Sequence, residues 1–173
     1  MEVWKQFDKN LVTHSAAHHL MAINRLLRKQ GYARVSDVAR FLEITRGSVS
    51  ITVKKLKERD LIKEDKNRFL LLTDKGNQVA QSIAARHEVI LAFLTDVLGQ
   101  DPEQADIDAC KIEHLVSGLT CGYLQQLVFF FRSAGEDGDT SLLEKFRAFQ
   151  KSDICQELLA HAADEDSALQ DLL

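Results

Sequence analysis

The sequence predicts a mainly α protein: an N-terminal winged helix-turn-helix followed by an all-helical domain. Three observations predict it. The periodic segments run in the order long helix, two short helices, two-stranded hairpin, which is the order of that DNA-binding motif. One proline and eight glycines in 173 residues are too few for a turn-rich all-β chain. The charge is also split along the chain. Residues 1–75 hold 16 Lys and Arg against 9 Asp and Glu, whereas residues 76–173 hold 6 against 17. A net charge of −4 therefore conceals a basic half, and a basic module is what contact with phosphates requires.

The elements follow in order. Leu20, Ile23, Leu26 and Leu27 recur at helical spacing and predict a helix from near Trp4 to Gln30, with Gly31 as its stop. Ser36 and Asp37 read as the cap of a short helix over 38–42. The stretch Thr45 to Ser48 reads as turn and cap for a helix over 49–59. There Val49, Val53 and Leu56 form the inward stripe, leaving Ser50, Lys54 and Lys55 outside. Residues 61–65 and 68–72 read as short strands around the Lys66-Asn67 turn. Thr73-Asp74 caps a long helix to about Leu98, stopped by Gly99, and Asp101-Pro102 opens the next.

Further on, Leu124, Leu127, Val128 and Phe131 form a stripe, and Phe129 and Phe130 make the rest of that helix apolar. Such a helix needs cover on several sides, so a subunit interface is expected beside core packing. Ala134 to Asp139 reads as a Gly/acidic loop. Amphipathic helices are expected from Thr140 on, carried by Leu142, Leu143, Phe146, Phe149, Ile154, Leu158 and Leu159, and ending in an acidic tail.

Small polar residues and cations on an exposed helix suit the major groove, where hydroxyls and guanidinium reach base edges and Lys meets phosphate. Thr45, Arg46, Ser48 and Ser50 are the candidates for base contact. Lys54, Lys55, Lys66 and Arg68 are the candidates for phosphate contact.

The acidic half carries a different chemistry. Cys110, Glu113 and His114 stand at i, i+3 and i+4, so one helical face presents a thiol, a carboxylate and an imidazole. Those three types share the ability to bind a transition metal. If the helices pack together, His18 of the first helix and His87 of the long helix complete a four- or five-coordinate site. Cys121 reads as packing. Cys155 and His161, six apart, do not share a helical face and are not read as a second site. Three cysteines are too few and too odd for a disulfide framework. With no signal-peptide core at the start and no apolar run near the ~20 residues of a membrane span, a cytoplasmic protein without membrane contact is expected.

Several stretches together resemble one family: Gly31-Tyr-Ala-Arg-Val-Ser-Asp-Val-Ala-Arg-Phe-Leu, residues Gly47 to Ile62, Leu72-Thr-Asp-Lys-Gly76, Arg86-His87 and Cys110-x-x-Glu113-His114. Over about residues 14–131 they are similar in order and spacing to the diphtheria-toxin-repressor/manganese-transport-regulator family. The resemblance implies a dimeric, metal-activated repressor of a double-stranded operator. Carried over by position, it implies metal ligands at His18, His87, Cys110, Glu113 and His114. Met21 falls where the manganese branch has a Glu ligand. Cys110 matches the form found in iron sensors. Two positions depart from the iron branch: Leu91 replaces a carboxylate and Asp106 replaces a histidine.

The implied organisation is a DNA-binding domain over 1–75, a metal-binding and dimerisation domain over 76–140, and a helical acidic extension over 141–173, without the third domain of longer family members. Fe(II) is the expected signal and Mn(II) the alternative, with Zn(II) or Co(II) binding in vitro. A second alternative keeps the winged helix but makes Cys110 a redox-sensing thiol. An enzyme is not expected, because no separate general base, nucleophile pair or phosphate-binding glycine loop accompanies the metal residues.

Overall fold

The computed structural model describes residues 12–133, 141–153 and 156–157. The predicted helix start near Trp4, the loop at 134–139, and the readings at Ile154, Cys155, Leu158, Leu159 and His161 lie outside the described residues.

Helix α1 (His14–Gln30) begins at Thr13, whose Oγ1 accepts from the Ala16 N–H at 3.3 Å. It ends at Gly31, whose φ of +81° is the left-handed conformation glycine adopts without penalty. Helix α2 (Val35–Phe41) starts three residues earlier than the sequence implied. The reason is local: Asp37 sits inside its first turn and its Oδ2 accepts from the Arg34 N–H at 3.1 Å. Helix α3 (Arg46–Glu58) also starts one turn early. Thr45 is its cap, accepting from the Ser48 N–H at 3.1 Å, so Arg46 and Ser48 belong to the helix itself. Val49, Val53 and Leu56 are buried as the spacing predicted.

Strands β1 (Ile62–Glu64) and β2 (Leu70–Leu72) pair antiparallel with Ile62 opposite Leu72. The hairpin tip is closed by Asp65, whose Oδ1 accepts from the N–H groups of Asn67 and Phe69, each at 2.8 Å. Arg68 lies in this turn at φ +63° rather than in the strand. Side chains from all these elements, including Leu20, Ile23, Val38, Val49, Leu56, Leu61 and Leu70, bury one another in a single core.

That core extends onto α4 (Asp74–Ala92) through Ala80 and Ile83, so the long helix is seated on the winged motif. Thr73 ties the joint: its Oγ1 accepts from the Gly76 N–H at 3.0 Å, and its hydroxyl donates to the Asp60 carbonyl at 2.7 Å. α4 runs on as a π-helical turn, Phe93–Val97, and the chain breaks at Gly99, φ +72°. Asp101 caps α5 (Pro102–Ile112), accepting from the N–H groups of Glu103 and Gln104.

Helices α6 (Gly118–Ser133) and α7 (Ser141–Gln150) follow. A second, smaller core joins Ile90, Ala109 and Cys121. On α6 only Cys121 and Val128 are buried, while Leu119, Tyr123, Leu127, Phe129 and Phe130 are exposed in the single chain. Leu127, in the apolar stripe for which core packing or a subunit interface was expected, is exposed in the single chain. α7 is pinned to the π-helical turn. Arg147 donates to the Asp96 carbonyl at 2.7 Å and Gln150 to the Leu98 carbonyl at 2.8 Å. The fold is thus mainly helical, with an N-terminal winged helix-turn-helix and a helical second domain. No described helix is long and apolar enough to cross a membrane.

Candidate metal centre and nucleic-acid surface

Where α1, α4 and α5 meet, the side chains of the acidic half face one of the basic half. Cys110 Sγ on α5 lies 3.3 Å from His18 Nε2 on α1. His87 on α4 bonds through Nδ1 to Glu113 Oε2 at 2.7 Å and through Nε2 to Asp106 Oδ1 at 3.0 Å. Glu113 is the C-cap of α5, with a backbone still in the helical region, and His114 follows in the turn. The helical spacing read from the sequence therefore persists one residue past the regular helix. The His14 ring bridges the group, with centroids 4.3 Å from His18 and 4.7 Å from His114.

Five of the six metal residues expected from the sequence, His18, Met21, His87, Cys110 and Glu113, line one groove of about 880 Å³. His114 is not on that wall. Its Nδ1 is buried and has no hydrogen-bond partner. Asp106 shares the groove and was missed as a site residue, although its position two turns before His114 was visible. Among the described residues, no three His, Cys, Asp or Glu side chains are arrayed around one point as a metal site requires. The donors stand instead as the Cys110–His18 pair and as His87 between Glu113 and Asp106, bonded through its two opposite nitrogens.

Burial governs the protonation of these groups. It pushes the Cys110 thiol up, and the Glu113 and Asp106 carboxylates push it further. It pushes His18 and His114 down, with neighbouring imidazoles adding to the effect. Glu113, only 7% exposed, is raised by burial against the opposing pull of His87. Neutral imidazoles have lone pairs to offer, whereas the thiol must lose a proton to ligate. Imidazole, thiol and carboxylate are donor types that suit a divalent transition metal, but here Cys110 touches only His18, while Glu113 and Asp106 touch His87.

The second surface lies at the other end of the basic half. Arg46, Ser50 and Lys54 of α3 and Arg68 of the hairpin tip line one groove of about 490 Å³. Arg34 and Lys57 share it, and neither was singled out from the sequence. Arg34 caps α2, and its guanidinium lies over the Phe69 ring at 4.4 Å, a cation–π contact that limits its freedom. Lys57 pairs with Glu64 at 2.7 Å. Placing the start of α2 correctly would have drawn attention to Arg34. Thr45, Ser48, Lys55 and Lys66 are exposed but stand outside this groove.

Comparison with known proteins matches both halves of the chain to known families. Residues 73–139 match the family described as iron dependent repressor, metal binding and dimerisation domain, and residues 12–68 match the MarR family. The chain is 34% identical over 126 residues to the HTH-type transcriptional regulator MntR of Bacillus pumilus (strain SAFR-032), covering 73% of this chain and 87% of that protein. It is 34% identical over 121 residues to MntR of Bacillus subtilis (strain 168), covering 70% and 84%. Among solved structures it resembles the manganese regulator SloR, with a TM-score of 0.61 at 28% identity over 66% of this chain and 54% of that one. The metal-dependent transcriptional regulator MtsR gives a TM-score of 0.62 at 25% identity over 69% and 55%. The chain spans about half the length of those two solved proteins. Its relatives are transcriptional regulators, and it is not an enzyme. With its winged motif joined to a helical domain rich in metal donors, the chain belongs to the diphtheria-toxin-repressor/manganese-transport-regulator family of metal-dependent transcriptional repressors.

Proposed function

We propose that the chain works in the cytoplasm as a homodimer that represses by binding a double-stranded operator when Fe(II) is held by His18, His87, Cys110, Glu113 and His114, with Met21 at the rim. Residues 1–75 act as the DNA-binding domain, 76–140 as the metal-binding and dimerisation domain, and 141–173 as a helical extension. The observation that carries this reading is the 3.3 Å approach of Cys110 to His18. It joins a donor of the DNA-binding half to a donor of the acidic half. A divalent metal held here would accept a lone pair from each of these donors, which are otherwise only in contact. The chain's own residues then do the rest. His18 ties α1, and with it the winged core, to α5, while Arg46, Lys54 and Arg68 meet the duplex. If this arrangement is the one that binds DNA better, a metal that favours it tightens DNA binding, and DNA tightens metal binding by the same factor.

The thiolate and imidazoles favour Fe(II), Co(II) or Zn(II) over Mn(II), which prefers oxygen and is weakest in the divalent series. A second reading takes Mn(II) as the signal. It is favoured by the relatives' name, MntR, and by the two carboxylates that face His87. An anaerobic DNA-shift titration with each metal separates the two. Half-activation by Fe(II) or Co(II) at lower free concentration than Mn(II) supports the first. Activation by Mn(II) alone, unaffected by Cys110→Ser, selects the second.

A further inference from the structure

The polar candidates on α3 are more occupied than the sequence implied. The Ser50 hydroxyl donates to the Arg46 carbonyl at 2.9 Å, and the Thr45 and Ser48 hydroxyls bond each other at 2.9 Å. The Thr52 hydroxyl points back to the Ser48 carbonyl. By helical periodicity, the side opposite the buried Val49, Val53 and Leu56 stripe is led by Gly47, Ile51, Lys54 and Glu58. Ile51 is 63% exposed there, the one large apolar side chain on a face that otherwise carries Gly47, Lys54 and Glu58. One turn before it, Gly47 leaves open space, since an added Cβ would meet only Thr45 Oγ1, at 3.8 Å.

An exposed isoleucine contributes nothing to the fold it leaves. It has no hydrogen bond to give a base edge or a phosphate. The one apolar group that base pairs present in the major groove is the C5-methyl of thymine. Lys54 and Lys55 beside Ile51 draw this face toward phosphates, and the missing side chain at Gly47 lets the helix approach closely. We propose that Ile51 is a specificity-determining residue, packing its side chain on a thymine methyl in each half-site, with Gly47 as the gap that permits the approach. The inference rests on the DNA-binding reading of α3 and adds a base preference to it.

The test uses the full chain with its activating metal and duplexes enriched from a randomised DNA pool. Each thymine is replaced in turn by deoxyuridine, which removes the methyl and nothing else. The unaltered protein should lose on the order of fourfold affinity per methyl at one position of each half-site. Ile51→Ala should bind the thymine duplex more weakly and be indifferent to uracil at that position, while Ile51→Val retains the sensitivity. A thermal melt equal to that of the unaltered chain confirms that these exposed substitutions leave the fold intact. Equal uracil losses in the unaltered protein and Ile51→Ala, or no sensitive thymine at all, overturn the proposal while the DNA-binding reading stands. If no duplex is enriched, that reading falls and takes the proposal with it. Loss of self-association in Ile51→Ala with unchanged uracil sensitivity shows that Ile51 serves a protein contact, and also overturns it.

Discussion

Cys110 Sγ on α5 and His18 Nε2 on α1 lie 3.3 Å apart, although 92 residues separate them in the chain. Their approach depends on α4 being seated in the winged core through Ala80 and Ile83 while its far end packs on Ala109 and Cys121. One long helix thus joins the winged core to the helices that carry the acidic-half donors. Replacing Cys110 by Ser keeps the size and removes the soft donor. Co(II) bound to the unaltered protein should show a thiolate charge-transfer band that Cys110→Ser lacks. Cys110→Glu with Met21→Glu adds two hard oxygens and should shift activation toward Mn(II), read as the ratio of half-activating Co(II) to Mn(II).

The DNA surface gives a second prediction. Arg46 lines the groove between α2, α3 and the hairpin tip. If it makes a bidentate base contact, Arg46→Ala costs about 1–3 kcal/mol on an enriched duplex and much less on random DNA. Arg34→Ala should weaken both equally and flatten the salt dependence, as loss of a phosphate contact does. Fluorescence anisotropy over a salt series separates the two outcomes.

Gly76 carries a third, concerning the joint between the domains. A Cβ built there would stand 1.8 Å from the Leu61 carbonyl oxygen, a backbone atom that cannot swing aside. Gly76→Ala must push α4 away from the hairpin, and overpacking of this kind costs about 1–3 kcal/mol or more. Thermal unfolding should show the loss. The displaced α4 should also weaken metal-dependent DNA binding more than metal-independent DNA binding.

Acid lability is the fourth. Asp96, in the π-helical turn, bonds to Arg132 of α6, and this bond holds its carboxyl below the usual range, with Thr95 and Arg147 adding to the effect. Lys111 does the same for Asp108, aided by Gln104 and Gln100. A depressed folded pKa means stability that is present above the unfolded value near 4 and lost as pH falls through the folded one. Both groups are partly open to solvent, 40% for the Asp96 side chain and 34% for Asp108, so screening holds each to less than about 1 kcal/mol. Denaturant melts should show Asp96→Asn less stable than the unaltered chain at pH 7. By pH 3 the difference should shrink.

Much of this was legible in the sequence for identifiable reasons. Val49, Val53 and Leu56 could be placed inside because a 3.6-residue period admits one such stripe, and Gly31 and Gly99 marked stops because both need a left-handed backbone. Helix starts were less legible. Asp37 and Ser48 act from inside the first turn of their helices rather than before it, so α2 and α3 began late on paper. Cys110, Glu113 and His114 were visible because they share a helical spacing. The position of Asp106 was visible too, but its role was not, nor was that of Arg34, since both roles arise from partners far along the chain, His87 and Phe69. Spacing sets Ile51 opposite the buried stripe, but it could not show that the neighbouring hydroxyls bond to their own helix.

The central claim is that metal acts through the link between His18 and the α5 donors. The most direct measurement is operator affinity with and without Fe(II) under anaerobic, reducing conditions, for the unaltered chain and for His18→Ala. The account predicts strong metal dependence in the first. In the second it predicts a folded protein that still binds metal yet gains little DNA affinity from it. Metal-independent operator binding by the unaltered chain, or full metal activation of His18→Ala, would contradict it.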